Sequence, residues 1–293
     1  MDMKKIFLTG SNGLLGSSIL DYLSTLENYE VISLPHQKIL SIEDAELHEI
    51  LSDIDWIIHC AAQTNVEQCE KDPETCYINN CFLTEKITAC SSFNTKILYV
   101  SSTGIYGSQE IRPYHEYDKV NPSTTHHISK HLAEKIVLSK NYNNIIVRTG
   151  WLYGDLSKND FVSKVIDEIK SSSCIIKSNS QQMGCPTYAN DVAKMCIELL
   201  QIAAFGIFNV VNSGSASRYD YVKRIVSKID KTASVEPVES SFFTRSAQVS
   251  DNETAISLRM PLFGFESMRS WEEALDDFLS SEKTLSEDKH SSL

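Results

Sequence analysis

Three glycines recur at three-residue spacing in Gly10-Ser11-Asn12-Gly13-Leu14-Leu15-Gly16, directly after the apolar run Ile6-Phe7-Leu8-Thr9. Glycine lets the backbone turn tightly and come close to a ligand phosphate. The free N–H groups at a helix start can then satisfy the phosphate charge. Leu15, Ile19, Tyr22 and Leu26 follow at helical spacing, so the loop joins a strand to a helix. No Lys-Ser/Thr pair ends it, which argues against an ATP-type phosphate loop. The pattern predicts a dinucleotide site, NAD or NADP, lined by Gly10, Asn12, Gly13, Leu14 and Gly16.

The segment closing the second apolar run reads Val31-Ile32-Ser33-Leu34-Pro35-His36-Gln37-Lys38. A carboxylate there would bind the adenosine ribose hydroxyls and select NAD. None is present, and His36 and Lys38 could face a 2′-phosphate, so NADP is slightly favoured. Two further groups can do chemistry. Ser101-Ser102-Thr103-Gly104-Ile105-Tyr106-Gly107 follows the apolar run 97–100, and His126 precedes Lys130 by one helical turn. Side chains at that spacing can face one cleft. His59 ends an apolar strand and reads as a satisfied core histidine. His115 beside Glu116 and Asp118 resembles a metal cluster on paper only, and no metal site is expected.

These groups must be held by the elements around them. Strand-like runs at 6–9, 29–34, 56–60, 97–100 and 145–147 alternate with helical patterns at 14–26, 42–51, 73–91 and 125–140. Nearly continuous apolar strands of this kind indicate an α/β fold: a Rossmann-type doubly wound parallel sheet with helices on both faces. Beyond Thr149 the order loosens. Helices are expected at 161–169, 191–200 and 219–229, strands at 174–177 and 208–211, and irregular chain over 231–264. The expected division is 1–150 as dinucleotide-binding core with active-site residues. Residues 151–280 complete the core and form a smaller C-terminal substrate-binding lobe, and 281–293 form a disordered tail.

Apolar residues make up 42% and charged residues 23%, the composition of a soluble globular chain. A net charge of -12 argues against nucleic-acid binding. No apolar run is long enough for a membrane span. Eight scattered cysteines without Cys-x-x-Cys spacing read as reduced core thiols, which points to the cytoplasm.

With Cys60-Ala61-Ala62, Asn79 in Tyr77-Ile78-Asn79-Asn80, and Lys130 in His126-His127-Ile128-Ser129-Lys130, the chain resembles the extended short-chain dehydrogenase/reductase class. Within it the sequence is most similar to the dTDP-4-dehydrorhamnose reductase family. The likeness continues through Arg148-Thr149-Gly150-Trp151-Leu152-Tyr153-Gly154 and is strong at Gln182-Met183-Gly184-Cys185-Pro186-Thr187-Tyr188-Ala189.

The resemblance implies hydride transfer from NAD(P)H to the keto carbon of a 4-keto-6-deoxy nucleotide-sugar, on a route to surface polysaccharide or a glycosylated metabolite. It implies a hydroxyl at Ser102, Lys130 against the nicotinamide ribose, and Ala61, Ala62, Asn79 and His36 along the cofactor. Thr103, Tyr106, Trp151 and Gln182 fall at substrate-lining positions, and the Pro113–Asp118 loop lines the route in. Arg148 is expected to be structural, and Arg245 and Gln248 fall in the region of the nucleotide end. A homodimer is compatible with the family.

One departure matters most. The family's proton-donating tyrosine position holds His126. An adjacent ammonium lowers the imidazole pKa from ~6.5, leaving roughly 3% imidazolium at pH 7 if the shift is one unit. Neutral His126 could instead polarise the ketone while another group supplies the proton. His127 points about 100° away on an ideal helix and is the poorer candidate. Ser102-Thr103 and Gln181-Gln182 also stand where the family has Thr-Asp and Asp-Gln. Thr103-Gly104 lacks the Asp-Glu pair of sugar dehydratases. The alternatives are a catalytically weak or inactive cofactor-binding protein of the same fold, as in the regulatory subunit of methionine adenosyltransferase, or a nucleotide-sugar epimerase.

Overall fold

The computed structural model describes residues 3–158, 160–171, 175–229 and 232–291, with side chains as far as Ser281. Its main sheet contains β1 (Lys4–Thr9), β2 (Tyr29–Ile32), β3 (Trp56–His59), β4 (Lys96–Ser102), β5 (Ile145–Thr149) and an edge strand, Gly206–Asn209. The spatial order is Gly206–Asn209, β5, β4, β3, β1, β2, and every pairing is parallel. The doubly wound sheet is therefore as expected. β2 and β3 flank β1 on opposite sides, so the order reverses at β1. Ligands of open α/β sheets lie in the crevice at the carboxyl ends beside such a point.

Side chains alternate across the strands. Ile6, Leu8, Ile58, Leu98, Val100, Ile145 and Val147 pack on one face against the helices Leu14–Ser24 and Ala189–Gln201. Phe7, Ile57, Ile97, Tyr99 and Ile146 pack on the other against Asp44–Leu51, Leu83–Cys90 and Thr125–Lys140. With both faces covered, the strand centres are apolar runs and the polar residues gather mainly at the strand ends, and this made them legible.

A third apolar cluster lies outside the sheet. Tyr153, Val162, Ile166, Tyr221, Ile225, Trp271, Leu275 and Phe278 bring together the helices Phe161–Ser171, Arg218–Ile229 and Trp271–Ser291. The region expected to be irregular contains a strand, Ser234–Val238, paired in parallel with Ile175–Asn179. Ser234–Val238 alternates poorly because it sits in a two-stranded ribbon away from the main sheet. Cys174, expected at the start of its partner, lies outside the described residues. The helix expected over 191–200 spans Ala189–Gln201, with Tyr188 as its N-cap.

The long helix expected over 73–91 is broken into Pro73–Tyr77, a π-helical turn Ile78–Phe82, and Leu83–Cys90. A π turn widens the helix by a residue and is frequent beside functional sites. Here it carries Asn79 to the cleft wall and buries Asn80 against the Gln63 backbone.

Candidate active site

A single cleft of about 1450 Å³ opens at the carboxyl ends of the strands. It is larger than the roughly 300–1,000 Å³ of a pocket for one small ligand. Its floor is the glycine loop. Gly10 has φ +71°, and a Cβ on it would stand 2.7 Å from the Ala61 backbone nitrogen. A Cβ on Gly16 would run into the Gly10 carbonyl. Only glycine fits at both positions. Gly13 caps the helix Leu14–Ser24 without a side-chain hydrogen bond, which leaves the first N–H groups for an anion. This cradle fits a dinucleotide pyrophosphate.

Gly10, Asn12, Gly13, Leu14, Gly16, His36, Ala61, Ala62 and Asn79 all line this cleft, as do Ser102, His126, Lys130, Trp151 and Gln182. Two expected substrate residues do not. Thr103 is buried with its hydroxyl directed at Gly150. Tyr106 is fully buried: its hydroxyl donates to Asn209 Oδ1 at 2.9 Å and accepts from Arg148 Nη1 at 3.0 Å, and its ring stacks on Tyr114. Both turn inward on the short 3-10 turn Thr103–Tyr106 that follows β4, whose direction the sequence spacing did not reveal. Lys38 is also outside the cleft wall.

The Pro113–Asp118 loop braces the fold instead of lining the cleft. Arg112 grips Asp118 with two nitrogens, and Glu116 accepts from the backbone nitrogens of Asn209 and Leu258. Arg148 is structural, as anticipated. It forms a two-pronged pair with Glu134 at 2.9 and 2.8 Å, both side chains almost fully buried. His59 is satisfied on both nitrogens, by Thr9 and Thr84. Among the described residues no cluster of three His, Cys, Asp or Glu side chains could hold a metal ion.

Ser102 closes β4 beside Thr149, and its Oγ accepts from the Gly104 nitrogen at 3.2 Å. Lys130 is buried, with Nζ 4.1 Å from the centre of the Tyr99 ring. Burial lowers its pKa to about 8, against the opposing pull of Cys60 and Glu134. His126 Nδ1 lies 2.9 Å from the Gln63 carbonyl oxygen. A carbonyl has no proton to give, so Nδ1 carries the hydrogen and neutral Nε2 is left as an acceptor. Gln63 is itself fixed, its nitrogen donating to Asn80 Oδ1 of the π turn at 2.7 Å.

Burial, then the neighbouring His127 and Lys130, lower the His126 pKa to about 3. At pH 7 that leaves about one imidazolium in ten thousand. The sequence reading allowed for the lysine but not for burial, which is the larger cause. The alternative role also changes, because a bare Nε2 cannot donate a hydrogen bond to a ketone. His127, set aside in the sequence, lines the cleft as well: its ring lies edge-on to His126 at 5.0 Å and fills the space that Gly104 leaves.

Sequence reading missed four participants. These are the Gln63 backbone, Lys158, which donates to the Asn12 carbonyl at 3.0 Å, and Glu253, whose Oε2 accepts from Trp151 Nε1 at 2.9 Å. The fourth, Arg218, stands over the Trp151 ring. Gln63, Lys158 and Glu253 come from segments without a recurring spacing, and Arg218 opens a helix whose spacing was read only from residue 219. Trp151 itself is held at φ +49°, a backbone conformation uncommon for a bulky residue.

The model of the RmlD substrate binding domain matches residues 3–284. The chain is 28% identical over 276 residues to the spore coat polysaccharide biosynthesis protein SpsK of Bacillus subtilis, covering 93% of this chain and 92% of that protein. It is 27% identical over 279 residues to the dTDP-4-dehydrorhamnose reductase of Mycobacterium tuberculosis, covering 93% and 91%. The crystal structure of dTDP-4-dehydrorhamnose reductase from Bacillus anthracis in complex with NADP matches with a TM-score of 0.89 at 28% identity, covering 95% of this chain and 99% of that one. The chain belongs to the RmlD substrate binding domain family, alongside the dTDP-4-dehydrorhamnose reductases.

Proposed function

We propose that the chain is an NAD(P)H-dependent reductase of a 4-keto-6-deoxy nucleotide-sugar, acting in the cytoplasm, where the unpaired thiols among its described residues stay reduced. The observation that carries this reading is the meeting of the glycine cradle, Ser102 and Lys130 in one cleft with room for a second ligand. Gly10, Gly13 and Gly16 would hold the pyrophosphate, and Ala61, Ala62 and Asn79 would flank the dinucleotide. His36 at the cleft edge, with no carboxylate ending β2, favours NADP.

The bound cofactor supplies the hydride. Ser102 donates a hydrogen bond to the substrate oxygen. His126, neutral and with its only N–H committed to Gln63, takes no part as an acid. The Lys130 ammonium is therefore the group that can release a proton near neutral pH, directly or through water. Oxidation of NADPH and NADH by purified protein with dTDP-, UDP-, GDP- and CDP-linked 4-keto-6-deoxy sugars tests this. Turnover of at least one sugar is expected, and cofactor binding with no turnover of any sugar would remove the reading.

The His126 tautomer favours one alternative, a cofactor-binding protein that does not turn over. That alternative gains if His126→Tyr reduces a sugar and the wild type reduces none.

A further inference from the structure

His127 is the second of two adjacent histidines in the first turn of the helix Thr125–Lys140. It lines the cleft although it is almost fully buried. It precedes Lys130 by three residues, so both side chains lie on one side of the helix. The ring fits because position 104 carries no side chain: a Cβ on Gly104 would stand 2.2 Å from His127 Nε2. The tip of the imidazole is thereby laid against the turn that follows β4. The Gly104 nitrogen donates to Ser102 Oγ at 3.2 Å, so Nε2 and the Ser102 hydroxyl flank the same glycine.

Hydrogen bonding fixes the tautomer of this ring. Thr124 is fully buried, and its Oγ1 accepts from the His127 backbone nitrogen at 3.2 Å. The same oxygen lies 2.9 Å from His127 Nδ1. Among the described residues the Thr124 hydroxyl hydrogen meets no other acceptor. Were the ring hydrogen on Nδ1, that hydroxyl hydrogen would be buried without a partner, which is costly. The hydroxyl therefore donates to Nδ1, and the ring hydrogen sits on Nε2. His126 is the reverse, with its hydrogen on Nδ1 and committed to Gln63.

The His127 Nε2 makes no hydrogen bond among the described residues and is not sealed off from the cleft. Burial lowers the pKa of the ring against an upward pull from Glu253 and Glu70, so His127 is neutral at pH 7. A neutral imidazole N–H can polarise a carbonyl without giving up its proton. On the reductase reading above, we infer that His127 is a catalytic residue whose Nε2–H, opposite Ser102, polarises the keto oxygen of the sugar.

As hydride adds to the keto carbon, the C=O π pair moves onto oxygen. Nε2–H and the Ser102 hydroxyl hold the charge that develops there. The Lys130 ammonium supplies the proton that completes the alcohol, and His127 keeps its own. Gly104 and His127 act as a pair, since any side chain at 104 would displace the ring.

The first test reads the tautomer without turnover. Hydrogen–nitrogen correlation NMR is recorded on protein loaded with oxidised NADP and labelled at its histidine nitrogens, with His127 assigned by the loss of its signals in His127→Gln. Nε2 should be protonated and Nδ1 bare in His127, and the reverse in His126. Thr124→Val removes the donor to Nδ1 and should shift His127 towards the other tautomer. Adding dTDP-4-keto-6-deoxyglucose, which cannot be reduced by the oxidised cofactor, should move the Nε2 hydrogen resonance downfield, and dTDP alone should not.

The second test separates a donor from a side chain that merely fills the space at Gly104. His127→Phe fills it without an N–H and is expected to lower kcat about 10²-fold, the cost of one lost oxyanion donor, with NADPH affinity unchanged. His127→Gln returns an N–H near the place of Nε2 and should recover kcat to within about tenfold of wild type. If phenylalanine is not accommodated, His127→Leu takes its place. A bare Nε2, or a kcat unchanged in the folded phenylalanine or leucine variant, would overturn the assignment. If wild type reduces no keto-sugar while the Nε2 hydrogen still answers the keto-sugar and not dTDP, the donor stands and only the reductase reading falls.

Discussion

The Nδ1 atom of His126 lies 2.9 Å from the carbonyl oxygen of Gln63, and this contact determines which nitrogen of the ring carries the hydrogen. The side chain at the expected proton-donor position is thereby turned into an acceptor. The fold supplies the partner by tying the Gln63 nitrogen to Asn80 on the π turn.

The first prediction follows from that contact. Replacing His126 with phenylalanine removes a group that cannot act as the acid, so kcat is expected to stay within about threefold of wild type. Replacing it with tyrosine restores a hydroxyl donor next to Lys130 and is expected to raise kcat by about 10²-fold or more, at the lower end of what a positioned acid contributes. Steady-state rates with the best keto-sugar check both. A loss of more than tenfold in His126→Phe would show that the imidazole itself acts.

The second concerns pH. Burial lowers the Lys130 pKa to about 8, while Cys60, Glu134, Cys81 and Cys76 pull it upward. The proton-bearing form is the ammonium, which dominates below that value and is lost above it. Reduction should therefore be level from pH 6 to about pH 7.5 and fall about tenfold per unit above about 8.5. His126, near 3, and His59, also near 3, stay neutral throughout and add no step. Lys130→Met should abolish the descending limb along with most of the rate.

The third concerns the Arg148–Glu134 pair. Glu134→Gln leaves a buried guanidinium facing a neutral amide, and urea unfolding should show a loss of about 3–5 kcal/mol. Arg148, aided by a hydrogen bond from His131, holds the Glu134 carboxyl at about 2 despite burial. A carboxylate with a lowered folded-state pKa contributes its stability fully above the unfolded value of ~4.3 and loses it as pH falls towards the folded value. Wild-type stability should thus decline between about pH 4.5 and 2, more steeply than that of the glutamine variant.

The fourth concerns cofactor choice. His36 lines the cleft and no carboxylate ends β2. His36→Glu would place an acceptor for ribose hydroxyls there and repel a 2′-phosphate. The ratio of NADPH to NADH affinity, measured by fluorescence titration, should fall by about tenfold or more. An unchanged ratio would mean that His36 does not face the adenosine ribose.

The fifth tests the cradle. Gly10→Ala must put a Cβ against the Ala61 backbone from a left-handed conformation. Cofactor affinity is expected to drop by more than tenfold, together with a loss of stability of about 1–3 kcal/mol. Calorimetry and thermal unfolding read the two effects separately.

The residue order alone determined the parallel sheet and the glycine cradle. Strands buried on both faces must be apolar along their length, and a loop that approaches a phosphate must lack side chains, so both constraints fall on consecutive residues. Ser102 and Lys130 were picked out through the family resemblance, whose motifs are local in the chain, and both line the cleft. The tertiary structure decided what depends on residues distant in the chain. It turned Tyr106 and Thr103 inward, brought His127 to the cleft, and set Arg218 against Trp151 across 67 positions. It also fixed the protonation of His126, because a pKa depends on burial and on the Gln63 carbonyl, and neither is encoded by the neighbours of the histidine in sequence.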